Sequence, residues 1–267
     1  AAPWQFSPHV LSDMQLVDSP DDEQRYVGVP DMNFVAKSLL SDAQVVLNTK
    51  VTKISRDNGM WYLWQETNSQ KSNELIGVYD WIVSTLPAEQ ASELFVEHNA
   101  IVSQIPQNVH ASCWATSIAT SGKVNKKFQA AFGSEPISWI ARQSHKPQRV
   151  KGEGIDDIWN LHFSTEFTKR NLHATPEALQ QQAFEFLHSI LLKNGLSKDV
   201  QLVEGYSHFW RYARLSVSYE KHISEKGITD IVFDADNQVA VIGDWTQGGK
   251  VQGAYLSAKK CFEQFNF

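Results

Sequence analysis

Apolar residues near the start of the chain recur at helical spacing. Residues 25–40 place Asp31 directly after Pro30, where an aspartate serves as a helix N-cap. The apolar face that follows comprises Val35, Ala36, Leu39 and Leu40. This spacing predicts a short amphipathic helix.

Several segments that predict β-strands follow this helix. Residues 45–47 and 51–56 read as strands, and Asn58-Gly59 is a strong hairpin turn into a further strand over residues 60–65. Residues 80–87 (DWIVSTLP) form a near-continuous apolar run, which is typical of a strand covered on both faces. A short helix is expected over residues 88–94.

The middle of the chain is rich in strand-like segments. These segments are residues 111–119, 137–143, 158–164 and 200–213. Between the last two, Thr175 and Pro176 give the N-cap and first position of a long helix that Gly195 ends. Its apolar face comprises Leu179, Ala183, Phe186, Leu187, Ile190 and Leu191. Strands in series with one or two helices predict a mixed or antiparallel sheet.

The last forty residues predict a strand, a glycine-rich turn and a helix. The strand covers residues 239–242, and the helix carries an apolar face of Val251, Ala254, Tyr255, Ala258, Phe262 and Phe265. The fold class is therefore mixed α/β with two lobes. We expect a discontinuous lobe over residues 28–100 plus 237–267 and a second lobe over residues 101–236.

The composition of the chain limits the kinds of partner and site that it can have. The 267 residues are 42% hydrophobic, which supports a folded core, and the net charge of −6 without a basic stripe disfavours nucleic acid and anionic membranes as partners. Cys113 and Cys261 lack metal-ligand spacing, and the nine histidines are scattered. With no signal peptide and no apolar run of membrane length, we expect a cytoplasmic protein that binds a small molecule without a metal.

The glycine-rich turn is the most informative stretch for chemistry. Gly243, Gly248, Gly249 and Gly253 would let backbone approach a ligand at a helix N-terminus, whose N–H groups favour anions. A phosphate-binding P-loop is excluded, because Gly249 intervenes before Lys250 and Val251 stands where Ser or Thr would hold magnesium. A plain turn that joins a strand to a packed helix remains the alternative.

Five segments taken in order resemble a known family. They are RYVGVPDMNFVAKSL, LNTKVTKI, YDWIVSTLP, HFWRYA and GDWTQGGKVQGAYLSA. Their order and spacing are similar to those of the renalase-like flavoproteins, a branch of the flavin amine oxidase superfamily, over essentially the whole chain. The resemblance implies a two-lobed flavin amine oxidase-like fold with FAD as cofactor, in which residues 101–236 bind the substrate.

The resemblance also implies roles for particular residues. Val51 would meet the adenine of FAD, residues Thr85, Leu86 and Pro87 would lie near its ADP half, and Gly243 with Asp244 would close on the pyrophosphate and ribityl chain. The helix N-terminus would face the flavin pyrimidine edge with Val251, Gln252, Gly253 and Ala254. The family's WR-aromatic segment beside the isoalloxazine corresponds to Trp210, Arg211 and Tyr212.

Structural alternatives stand beside these roles. Asp244 could be a helix or turn cap, and Trp210 with Arg211 could be a strand end with an interfacial indole and a snorkelling guanidinium.

One departure from the family concerns its opening motif. The superfamily begins with a strand, a GxGxxG turn and a helix, whereas Gly28 is the first glycine here. We therefore expect an incomplete FAD-binding lobe and weak FAD binding. We also expect an exposed groove lined by Val45, Leu47, Ile82, Val83, Val239 and Val241.

Three functions follow from these observations. The first is an FAD-dependent oxidoreductase that takes hydride from an amine or a dihydronicotinamide-like substrate, with reoxidation by oxygen. The second is a non-catalytic fragment that cannot hold FAD. A carbohydrate-active protein is suggested by the nine tryptophans, but no pair of acids supports it.

Overall fold

The structure, a computed structural model of the chain, describes residues 1–6, 8–19, 21, 23–66, 72–228 and 230–265. The strands are β1 (Ala2–Pro3), β2 (His9–Ser12), β3 (Gln15–Asp18), β4 (Tyr26–Val27), β5 (Lys53–Asp57), β6 (Met60–Glu66), β7 (Asn73–Tyr79), β8 (Ile82–Ser84), β9 (His110–Ser121), β10 (Ala130–Phe132), β11 (Ile137–Arg142), β12 (Asp157–Phe163), β13 (Gln201–Leu215), β14 (Val232–Asp234) and β15 (Val239–Val241). The helices are α1 (Phe34–Leu39), α2 (Ala88–Leu94), α3 (Asn99–Val102), α4 (Thr165–Arg170), α5 (Pro176–Lys193), α6 (Val217–Lys226) and α7 (Lys250–Gln264).

The chain divides into two units, each discontinuous in sequence. The first unit holds residues 1–45 and 112–210, and the second holds residues 46–111 and 211–267. These bounds differ from those of the predicted lobes. Residues 101–111 and 211–236 belong to the second unit because Val109, Leu215, Tyr219 and Val232 share its apolar core. The functional roles assigned to the two lobes stay predictions.

A seven-stranded mixed sheet forms the first unit. Its order is β13-β9-β12-β11-β10-β2-β3, in which β10 and β2 pair in parallel. Helix α5 buries Leu179, Ala183, Leu187, Ile190 and Leu191 in the same core as the sheet residues. The predicted sheet type and the long helix are thus confirmed, including the Thr175 cap and a left-handed Gly195 after the helix.

Two three-stranded sheets form the second unit. Strands β5, β6 and β7 make an antiparallel meander, and the order β14-β15-β8 makes the other sheet. The predicted hairpin is confirmed, since Asn58 and Gly59 both take the positive φ of a type I′ turn. The predicted pairing of residues 239–242 beside residues 81–84 in one sheet is also confirmed, as β15 runs parallel to β8.

Several elements differ from the sequence prediction. Helix α1 begins after Asn33 instead of Asp31, and its apolar face is exposed, because nothing among the described residues buries it. Residues 45–47 form no strand.

The predicted exposed groove is also wrong in part. Val239 and Val241 are fully buried, because β15 lies between β14 and β8 and its two faces belong to two apolar clusters. By contrast, Val83 is 44% exposed, although its strand was expected to be covered on both faces.

No helix among the described residues combines the length and the apolar character that a membrane crossing requires.

Trp61 on β6 joins the meander to the other sheet of the second unit. Its ring is fully buried, and its Nε1 donates to the carbonyl of Asn237 at 2.9 Å, at the turn between β14 and β15. Arg56 reinforces this turn by donating to Asn237 Oδ1 at 2.8 Å.

We therefore predict that Trp61→Phe lowers the free energy of unfolding by about 1–3 kcal/mol, because the partly buried carbonyl of Asn237 loses its indole donor. Trp64→Phe is the matched control, since Trp64 lies on the same strand but is only partly buried. Chemical denaturation monitored by circular dichroism measures both changes. Equal losses for the two variants would contradict the special role of Trp61.

Candidate active site

Two chain segments that are distant in the sequence leave the second unit's parallel strands at the same edge. The register pairs Ile82 with Val239 and Ser84 with Val241, and Ile242 N–H donates to the Ser84 carbonyl at 2.9 Å. The loops that follow β8 and β15 therefore begin side by side. Ligand clefts in open α/β sheets form outside such carboxyl ends.

The turn after β15 is held closed by its own backbone. Gly243 precedes a short 3-10 helix over Asp244–Gln247, and Gly248 and Gly249 then take φ of 81° and 80°, a region that favours glycine. Gly249 N–H donates to the Asp244 carbonyl at 2.8 Å. The indole Nε1–H of the buried Trp245 donates a hydrogen bond to the Leu86 carbonyl at 3.2 Å. This bond fixes the turn to the loop after β8.

Helix α7 packs against this turn through small side chains. Its buried positions are Gly253, Ser257 and Cys261, whereas Val251, Tyr255 and Phe262 are exposed. Most of the predicted apolar face is therefore exposed, although Phe265 packs against the apolar cluster that contains Cys261. A Cβ at Gly253 would stand 2.8 Å from the Asp244 carbonyl oxygen, so only a face of small residues lets the helix approach so closely.

A cavity of about 380 Å³ lies where the turn, α7 and the loop after β8 meet. It is lined by Thr85, Pro87, His110, Tyr212, Ala213, Arg214, Ile242, Gly243, Asp244, Trp245, Lys250, Val251, Ala254, Ser257 and Ala258. We call it the turn cavity. The predicted residues Thr85, Pro87, Tyr212, Gly243, Asp244, Val251 and Ala254 are thus brought together.

Two groups in the turn cavity are open to a ligand. The half-buried Asp244 carboxylate has no hydrogen-bond or ion-pair partner among the described residues. It therefore does not act as the helix or turn cap that the structural alternative proposed. Helix α7 begins after Gly249 without a side-chain cap, so its first N–H groups lack intrahelical acceptors. A carboxylate and a helix N-terminus together suit a ligand that carries both hydroxyl and anionic groups.

A larger cavity of about 560 Å³ lies along β8 and the segment before β5. Val51, Ile82, Val83 and Leu86 line it together with Lys50. We call it the strand cavity. Thr85 lines both cavities, so the second unit offers an elongated binding region instead of a single pocket.

The remaining predicted residues lie elsewhere. Gln252 is exposed, Gly253 is buried against the turn, and Arg211 is exposed on β13. Trp210 lies in the first unit and lines a separate cavity of about 370 Å³ with residues that include Tyr206 and His208. The described residues contain no group of three or more His, Cys, Asp or Glu side chains that could hold a metal ion.

Sequence reasoning missed a carboxylate–imidazole pair at the turn cavity. Glu89, in the first turn of α2, accepts a hydrogen bond from the His110 backbone N–H at 2.9 Å, and its Oε2 shares a second hydrogen bond with His110 Nδ1 at 2.6 Å. Burial raises the pKa of the Glu89 carboxyl, but the hydrogen bonds with His110, a backbone hydrogen bond of Glu89 itself and the charge of His110 together outweigh this, and the pKa is lowered overall. No spacing in the sequence signals the pair.

Comparison with known proteins shows which family this chain matches. The sequence profile described as flavin containing amine oxidoreductase matches residues 27–261. This range includes the turn, most of α7, Val51 and the Glu89–His110 pair.

Solved structures with the same fold come from several organisms. A protein of Exiguobacterium sp. 255-15 assigned as a protoporphyrinogen oxidase is 15% identical with a TM-score of 0.57, covering 88% of this chain and 51% of that one. An oxidoreductase from Methanosarcina mazei is 16% identical with a TM-score of 0.54, covering 87% and 53%. Cyclohexylamine oxidase from Brevibacterium oxydans IH-35A is 12% identical with a TM-score of 0.54, covering 88% and 52%. The mixed α/β fold is therefore the flavin amine oxidase-like fold, and the chain spans about half the length of these structures.

We predict that Gly253→Ala destabilises the turn and α7, because the new methyl group would overlap the Asp244 carbonyl. The expected loss is about 1–3 kcal/mol of unfolding free energy. Gln252→Ala, at the neighbouring exposed position, is the control and should leave stability nearly unchanged. Thermal unfolding of the two variants makes the comparison, and a Gly253→Ala protein as stable as the parent would contradict the close packing.

Proposed function

Because the chain belongs to the family of flavin containing amine oxidoreductases, we propose that it takes part in FAD-dependent oxidation of an amine or a dihydronicotinamide-like compound. Membership of this family supports an oxidoreductase with a flavin cofactor, and the activity of this chain is part of our proposal. The identity of the flavin as FAD, the renalase-type substrate, hydride as the transferred group and reoxidation by oxygen are our proposals. FAD would supply the electron-accepting ring on which the oxidation occurs.

The observation that carries the proposal is the Asp244 carboxylate, which has no partner among the described residues, beside the N-terminus of α7, which has no side-chain cap. A dinucleotide cofactor carries hydroxyl groups that donate to a carboxylate and phosphates that accept from helix N–H groups. The two kinds of group on the protein therefore match two kinds of group on the cofactor.

In our proposal, the two adjoining cavities hold different parts of such a cofactor. In our proposal, Val51 contacts the adenine in the strand cavity, and Thr85, Leu86 and Pro87 flank the ADP half where the cavities adjoin. Gly243 and Asp244 hold the pyrophosphate and ribityl region. Residues 251–254 at the start of α7 direct the helix dipole at the ring, where it stabilises negative charge.

We further propose that the first unit binds the substrate through the face of its sheet that carries Trp210. On this face the small side chains of Ala115 and Ser117 lie on β9, between Asn160 on β12 and the aromatic residues of β13. The rings of His208 and Trp210 meet edge to face at 4.4 Å. Such a surface suits a planar ring that can also accept or donate hydrogen bonds. Arg211 and Tyr212 belong to the second unit, and in our proposal they lie beside the isoalloxazine.

The alternative is a non-catalytic chain that cannot hold FAD. Each charge-assisted contact is worth about 1.5–3 kcal/mol, so the Asp244 carboxylate and the N–H groups of α7 would together contribute about two to four decades of FAD affinity. A titration with FAD distinguishes weak binding from none.

The test follows flavin fluorescence while FAD is titrated into the chain. We predict saturable binding of FAD, and we predict that Asp244→Asn weakens it by about tenfold or more, because a neutral amide is a poorer acceptor. Asp236→Asn is the matched control, since Asp236 is exposed in the same unit outside both cavities.

Absence of saturation up to about 1 mM FAD would favour the non-catalytic alternative and contradict the proposed function. Equal affinities for Asp244→Asn and the parent would show that the turn cavity is not the site.

A further inference from the structure

The Glu89–His110 pair has the geometry of a proton-handling group. One carboxylate accepts from two atoms of the same residue, with Oε1 on the backbone N–H and Oε2 on Nδ1. The backbone bond fixes the position of the carboxylate, and the second bond then fixes the imidazole ring. A ring held in this way has a defined orientation relative to the cavity that it lines.

The charge state of Glu89 decides which ring nitrogen of His110 carries the hydrogen. Because hydrogen bonds from His110 lower the pKa of the Glu89 carboxyl despite its burial, the group is an ionised acceptor near neutral pH. An ionised carboxylate cannot donate, so Nδ1 must carry the shared hydrogen. In the neutral imidazole, Nε2 is then the nitrogen with the free lone pair.

The Nε2 atom of His110 makes no hydrogen bond within the described part of the chain. The His110 side chain is only 5% exposed, but its Nε2 atom keeps a small accessible area. The His110 ring lines the turn cavity and meets the ring of Tyr212 edge to face at 5.9 Å. The charged groups that line the same cavity are Asp244, Arg214 and Lys250.

We propose that His110 is a proton acceptor and donor for the ligand bound in the turn cavity, and that Glu89 is its positioning residue. In the forward direction an N–H or O–H bond of the ligand breaks, its proton bonds to Nε2, and the electron pair stays on the ligand. The imidazolium that forms is balanced by the Glu89 carboxylate, and the proton then passes to water. The inference rests on the proposed function only for the identity of the ligand.

A purely structural role for Glu89 would also connect α2 to the start of β9, so stability alone does not test the proposal. Glu89→Gln provides a sharper test. The backbone N–H of His110 still requires an oxygen, so the glutamine must place its NH₂ group against Nδ1. That arrangement moves the ring hydrogen from Nδ1 to Nε2 and removes the free lone pair.

The first measurement is the tautomer of His110, obtained from long-range proton–nitrogen correlation in histidine-labelled chain at about pH 8.5, where an ordinary imidazole is neutral. His110→Gln assigns the signals. We expect Nδ1–H in the parent chain, Nε2–H in Glu89→Gln and Nδ1–H in the control Glu93→Gln, which changes an exposed carboxylate on the same helix. An Nε2–H tautomer in the parent chain would overturn the proposal.

The second measurement is the rate at which diethyl pyrocarbonate modifies His110, followed by peptide mass spectrometry with the exposed His222 as internal reference. We expect Glu89→Gln to slow the modification by about tenfold or more, whereas Glu93→Gln leaves it unchanged, because the reagent requires the free lone pair. Equal rates in Glu89→Gln and the parent chain would contradict the assigned role.

Added FAD separates this inference from the proposed function. If FAD slows the modification of His110 but not of His222, both stand. If FAD binds without protecting His110, the proposal that the cavity's ligand reaches this imidazole is wrong, although the FAD function stands. If FAD does not bind at all while the tautomers are as expected, the proposed function fails and the paired imidazole does not.

Discussion

The parallel pairing of β8 with β15 is the constraint on which the candidate site depends. It joins residues 82–84 to residues 239–241, and each strand continues directly into a loop that lines the turn cavity. Without this register, the fold would not bring Thr85 and Asp244 close to each other. The Trp245 to Leu86 hydrogen bond then fixes the two loops together one step beyond the strand ends.

The close approach of α7 follows from the same constraint. The turn after β15 folds back on itself through the Gly249 to Asp244 hydrogen bond, and the helix must begin immediately afterwards. Small residues at 253, 257 and 261 let the helix lie against the turn, so its N-terminus reaches the cavity. The larger apolar side chains of the helix are consequently displaced to exposed positions, which explains why Val251 and Tyr255 are exposed.

Local signals predicted the elements that depend on local chemistry. The Asn58-Gly59 turn, the Thr175-Pro176 helix start and the apolar strand over residues 239–241 all have sequence signatures, and all are confirmed. Apolar periodicity did not identify the buried face of α7, because packing against a backbone carbonyl selects the smallest side chains. Helix α1 shows the same limit, since the apolar face of this predicted amphipathic helix is exposed in the described chain.

The candidate site was predictable only in part. The glycine-rich turn and Asp244 could be found from the sequence, because glycines with a carboxylate before a helix carry a physical meaning. The Glu89–His110 pair could not, since it joins a helix start to a strand start through tertiary structure alone. The cofactor roles of the individual residues depend on the resemblance and on the cavities that the structure places around them.

Backbone hydrogen exchange with and without FAD tests the central claim most directly, because it reports where the cofactor contacts the chain. The account predicts that saturating FAD slows exchange at Thr85 and Leu86 and across residues 243–253, at the carboxyl ends of β8 and β15. It also predicts little change along helix α5. Protection confined to other segments, with residues 243–253 unaffected while FAD is bound, would contradict it.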